Sequence, residues 1–253
     1  MTSGALPRWL QLGQQISSPV FQAVLDALRS RRLPDASIQA TGELALFHVR
    51  ACLNASIDQN QVGQPAVALA LLRQCIEALT VVDASLQRSE LAIDLLQRWV
   101  KSGSSTGALR KELANHAWPR YGTGLWDEPW GDFFSNLSKS VHPYAHYSNL
   151  LQQWQISIVS NRGSSDVIAM TSHMTVDQVK FLRVALLHML VIWAVGRIFL
   201  GNSPDESHKS LRDSIAALGS ALSESKMLFR SKDWADELLP HIFFNEGANW
   251  NDD

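Results

Sequence analysis

A stretch of twenty-two residues, PAVALALLRQCIEALTVVDASL from Pro65 to Leu86, constrains the fold more than any other feature of this chain. Its length and pattern predict a helix, with Pro65 preset for the first helical position. Its interior is apolar on every face apart from Arg73, Gln74 and Glu77. A helix with no polar face belongs inside other helices. A second stretch, Phe181 to Leu200, is more apolar still and reads the same way. Arg183 and Arg197 interrupt it, with thirteen residues between them. As helix those would span about 20 Å, short of the roughly 30 Å hydrocarbon core of a bilayer. The expectation is a buried central helix and no membrane span. A hydrophobic fraction of 46% is ample to surround both segments.

Helical periodicity governs most of the remaining chain. Ser18 followed by Pro19 predicts a helix to about Arg32, which Pro34 stops. Further helices are predicted from about Ser37 to Gln59, Pro65 to Gln87, Ser89 to Lys101, 108 to 117 and Trp130 to Ser140. Thr175 and Gln178 form a capping box for the long apolar helix. Ser203-Pro204 opens another to about Phe229, and a short one falls near 231–240. Residues 118–130, WPRYGTGLWDEPW, break the pattern as an aromatic loop. Between 152 and 174 the period changes to alternation, with Trp154, Ile156 and Ile158 on one side, which predicts a β-hairpin. The expected fold is therefore mainly α: a helical bundle of about seven to nine helices with one small β-hairpin. It forms a single domain over 1–253, with 1–17 and 242–253 frayed or peripheral.

Composition narrows function mostly by exclusion. A formal net charge of -2 gives no global field that would select nucleic acid or an anionic membrane. No charged segment followed by an apolar run opens the chain, so a cytoplasmic location is expected. The two cysteines, Cys52 and Cys75, sit in apolar helical patterns and read as buried free thiols with no base in view. No Glu-x-x-His, His-Glu-x-x-His, P-loop, Gly-x-Gly-x-x-Gly or Gly-x-Ser-x-Gly occurs, so no metal or cofactor is expected. Four of the nine Trp lie in 118–154, where packing of loop on bundle is the first explanation and base stacking the second.

Two groups of residues carry chemistry. Arg73 and Glu77 are four apart, so their side chains meet on one helical face. Each can serve simply to satisfy the other's buried charge, or the pair can face a site. The second group is Ser138, Lys139, His142, Pro143, Tyr144, His146 and Tyr147. Ser138 and His142 share a face, and Pro143 ends the helix there. Hydroxyl, imidazole and phenol groups in this density suit general acid–base work near neutral pH, or equally the capping of free helix carbonyls.

The segments LLRQCIEAL and FFSNLSKSVHPYAHYS together resemble an uncharacterised bacterial all-helical family, with an Arg-x-x-x-Glu helix followed by a Ser-x-x-x-His-Pro segment. The resemblance covers about residues 40–150. The chain is also distantly similar to the HEPN superfamily of helical, often dimeric, metal-independent ribonucleases of defence and toxin systems. That resemblance implies an Arg followed four to six residues later by His. Arg110-KELAN-His116 and Arg183-VALL-His188 fit the spacing. Lys111 and Val184 depart from the Asn, Asp or His favoured after the arginine, which weakens both.

Two functional classes follow. One is a helical interaction or scaffold protein, binding a protein or nucleic-acid partner in a bacterial defence or stress system, with Arg73, Glu77, His142, Ser138, Tyr144 and His146 as a polar network. The other is a HEPN-like endoribonuclease, in which His142 or His116 moves the proton and Arg73 or Arg110 stabilises phosphorane charge. A homo-oligomer or protein partner is expected in either case, RNA is a candidate partner, and no membrane is involved.

Overall fold

The computed structural model describes residues 6–31, 33, 35–103, 105–142, 157–159, 167–169, 178–203 and 208–225. Eight α-helices lie among them: α1 (Arg8–Ser30), α2 (Ala36–Gln61), α3 (Pro65–Leu86), α4 (Glu90–Ser102), α5 (Thr106–His116), α6 (Trp130–Val141), α7 (Gln178–Asn202) and α8 (Lys209–Ser223). The expected all-helical class is the observed one. A 3-10 turn, Trp118–Tyr121, links α5 to the loop before α6.

The local chemistry explains most helix ends. Asp35 caps α2 by accepting from the Ser37 N–H at 2.8 Å. Ser89 and Ser105 do the same for α4 and α5 through the N–H groups of Ala92 and Ala108. Gly103 ends α4 in the left-handed region at φ 61, where a side chain would be strained.

The first helix differs from expectation. It begins at Arg8, and Pro19 lies inside it. Trp9, Leu10, Gly13 and Ile16 are buried in line with Val20, Val24 and Leu28. Residues 8–17 are thus core rather than periphery. The apolar seam packs on α7 and α8 and outweighs the roughly 3 kcal/mol that an interior proline costs a helix.

α3 and α7 form the centre. α3 packs against α2, α4, α5, α6 and α7, while α7 also meets α1, α2 and α8. Both are long and apolar enough to cross a membrane, yet 83% of the most apolar window of α7 and 56% of that of α3 are buried within the chain. Neighbouring helices cover most of α7, while α3 keeps part of its N-terminal half, Val67 included, at the surface.

Of the hairpin range, two three-residue segments are described, β1 (Ser157–Val159) and β2 (Val167–Ala169), antiparallel with Ile158 opposite Ile168. A ladder this short forms no sheet layer, so the described architecture is a helical bundle without a β-layer. The rest of 143–177, which includes Tyr144 and His146, lies outside the described residues, as do 226–253.

Candidate functional site

The polar residues of α3 are not confined to Arg73 and Glu77. Thr80, Asp83 and Gln87, the last at its C-cap, continue at spacings of three, three and four, which keeps them on one face. This face turns towards α5, the 3-10 turn and α6, and a seam of hydrogen bonds runs its full length.

At the N-terminal end of the seam, Arg73 forms an ion pair with Glu77. Arg73 Nη1 also donates to Ser138 Oγ on α6 at 3.2 Å. Arg110 Nη1, from α5, donates to the same oxygen at 2.5 Å, and its Nη2 donates to Thr80 Oγ1 at 3.3 Å. The Arg110 guanidinium lies over the Phe134 ring, 5.6 Å from its centre. Burial, and after it the adjacent Arg73 charge, pushes Arg110 below the usual arginine value, while Glu77 pulls it up. One carboxylate therefore serves two guanidiniums, and the cluster keeps excess positive charge.

At the other end lies Asp83, only 1% exposed. Its Oδ2 accepts from the Trp118 indole at 2.7 Å. Its Oδ1 accepts from the Tyr121 hydroxyl at 2.5 Å, Gln87 Nε2 at 2.7 Å and Asn202 Nδ2 at 3.4 Å. Arg120 reaches Gln87 and Asn202 from the rim. Burial pushes the Asp83 carboxyl above its ordinary value, and these four donors resist that. Burial, reinforced by Asp83, likewise raises the Tyr121 phenol. Sequence reasoning passed over Asp83, Gln87, Trp118, Tyr121 and Asn202. The available signal was the helical spacing from Glu77 through Thr80 to Asp83 and Gln87.

The structure brings Arg73, Glu77, Arg110 and Ser138 together and leaves the histidines out. His116 lies six residues after Arg110, about 120° away around α5. Its side chain is 56% exposed and sits 3.6 Å from Glu112. His142 is exposed at the C-cap of α6, one turn beyond Ser138. The Arg110–His116 motif therefore does not assemble within the chain. Nor does Arg183–His188 supply a base at a surface. His188 is 2% exposed, and burial lowers it to about 3. Ser56 donates its only hydroxyl hydrogen to the Ala68 carbonyl at 2.8 Å, so neutral His188 donates from Nε2 to Ser56 Oγ at 2.7 Å.

Both cysteines are buried and free, as expected. Cys52 does have an imidazole nearby, since His48 one turn earlier lies 3.5 Å away through Nε2. Burial raises both thiols, so this proximity does not make a thiolate. Among the described residues no group of three or more His, Cys, Asp or Glu is placed to hold a metal ion.

Arg110 lines a cleft of about 590 Å³ between α5 and α6, together with Lys111, Trp118, Trp130, Asp132 and Ser135. Behind this wall two buried donors, Arg110 Nε and Trp130 Nε1, have no acceptor among the described residues. The arrangement can hold an acceptor-bearing or anionic group; no histidine is among the described residues that line it. In comparisons with family models, with curated proteins and with solved structures, nothing matches the chain.

Proposed function

We propose that the chain is a helical interaction module of a bacterial defence or stress system, binding a protein or nucleic-acid partner through the cleft beside Arg110. The observation that carries this reading is the excess cationic charge of Arg73 and Arg110 against Glu77, beside the cleft that Arg110 lines together with Lys111. A partner presenting carboxylates or phosphates is drawn to that charge. The working form is cytoplasmic, as a homo-oligomer or with a protein partner, and uses no cofactor. Labelled single-stranded RNA and an acidic peptide are the two probes. Lys111→Glu, on the exposed rim, weakens whichever of them binds, and EDTA-treated protein leaves the RNA intact. Binding that K111E does not alter would sink the assignment to this cleft.

A second reading, a HEPN-like metal-independent endoribonuclease, draws on the convergence of Arg73 and Arg110 on one Ser138 oxygen. Two guanidiniums so placed suit developing phosphorane charge. It requires a histidine from a second copy of the chain, because His116 and His142 stand away from the arginines. RNA cleavage in EDTA that His116→Ala or His142→Ala abolishes would establish this reading over the first.

A further inference from the structure

A second cleft, of about 480 Å³, lies on the other side of the aromatic loop, between the 3-10 turn, α7 and α8. Three arginines from three elements line it: Arg120 from the turn, Arg197 from α7 and Arg212 from α8. No Asp or Glu is among its described lining residues. In a chain of net charge -2, three cations around one concavity with no facing carboxylate make a strong local positive potential. The nearby Glu128 has both carboxylate oxygens turned to the N–H groups of Leu125 and Trp126, and its single charge offsets only part of this potential.

Two of the three cations are held in place rather than splayed into water. Arg197 stacks on Trp193 and Trp130, 5.2 and 5.6 Å from the ring centres, and Nη2 donates to the Tyr121 carbonyl at 2.6 Å. That acceptor is neutral, and Arg197 has no ion pair among the described residues. Arg120 is steadied by Gln87 and Asn202, both neutral side chains. Stacking and hydrogen bonding pre-orient the two guanidiniums, so a bound anion pays little to organise them. Arg212 is exposed on α8 and adds charge from the open side. Ser220 contributes a hydroxyl, and Gly201 and Gly219 leave room for the Tyr121 and Trp193 rings, which a Cβ at either position would meet.

We propose that this cleft binds a small phosphorylated molecule, its phosphate held by Arg197, Arg120 and Arg212. A doubly charged tetrahedral group with several acceptor oxygens suits three guanidiniums lining one cleft better than a single carboxylate does. The volume falls within the range of small-molecule sites, and the concave shape favours a compact ligand over a polymer backbone. This site is separate from the cleft beside Arg110 and does not depend on the function proposed for that cleft.

The test is titration of the full chain with inorganic pyrophosphate and with a nucleoside diphosphate, followed by calorimetry and by the fluorescence of Trp193 and its neighbours. Saturable binding at constant ionic strength is expected, with Arg212→Gln weakening it by about tenfold or more and leaving the unliganded melting temperature unchanged. Arg197→Gln weakens it further, and should that variant fail to fold, R212Q carries the test alone. Lys111→Glu, in the other cleft, leaves the affinity unchanged. Binding that sodium chloride reproduces at equal ionic strength, or that K111E weakens as much as R212Q, overturns the proposal. So does binding of single-stranded RNA alone, with neither small probe retained.

Discussion

Trp118 donates its indole N–H to Asp83 across 2.7 Å, and both side chains are buried. This one bond joins the central helix to the aromatic loop. With Tyr121 and Asn202 on the same carboxylate, it also ties α7 to that loop. Arg120 leaves this network for one cleft, and Arg110, at the other end of the same α3 face, leaves it for the second. The polar seam thus fixes the walls of both clefts.

Asp83→Asn is expected to destabilise the protein by about 3 kcal/mol, since an amide cannot accept from all four donors. Urea unfolding of wild type and D83N at pH 7 measures the loss, and a gap below about 1 kcal/mol would mean that the carboxylate is not the shared acceptor.

Ser138→Ala removes the oxygen that accepts from both Arg73 and Arg110. The loss is expected to be about 2 kcal/mol, because two partly buried cations lose an acceptor together. Ser140→Ala is the comparison. That hydroxyl donates only to the Leu137 carbonyl in its own helix, and about 0.5 kcal/mol is expected. Equal effects in chemical denaturation would show that Ser138 is not the shared acceptor.

The bundle was legible because its signals are local. Caps such as Asp35 and Ser89, Pro65 at a helix start and Gly103 after a helix end operate within one turn. Arg73–Glu77 was legible for the same reason. Pro19 misled, because a proline–serine cap is a local signal and the burial of Trp9 and Ile16 against α7 and α8 is not. Asp83 was hidden by its surroundings in sequence. In TVVDASL it resembles the polar end of a helix, and its four donors come from 4 to 119 residues away. The Arg110–His116 spacing looked like a motif, yet helical geometry sends the two to different faces.

Gly42 sets how closely α2 approaches α3. A Cβ there would stand 2.6 Å from Ser85 Cβ and 2.9 Å from Leu28 Cδ2. Alanine gains about 1 kcal/mol of helix propensity, but the overpacking costs more, so Gly42→Ala is expected to destabilise by about 1–2 kcal/mol net. Gly107→Ala, where the nearest atom is Ser105 Oγ at 3.7 Å, should be neutral or stabilising. Thermal melts of both variants measure the contrast, and a stabilised G42A would mean the two helices can separate freely.

His188 supplies the clearest acid sensitivity. Its folded value is about 3 against an ordinary 6.5, because burial excludes the imidazolium. Between those limits the unfolded chain binds a proton that the folded chain refuses. The stability tied to neutral His188 is therefore complete above pH 6.5 and is lost as pH falls towards 3, with a slope approaching about 1.4 kcal/mol per pH unit. Glutamine places an amide N–H where Nε2 donates to Ser56 and does not titrate. His188→Gln should cost some stability at pH 7 and lose less than wild type on acidification to pH 4.5. Urea unfolding at the two pH values gives both slopes. Parallel slopes would mean that another group, not His188, carries the acid response.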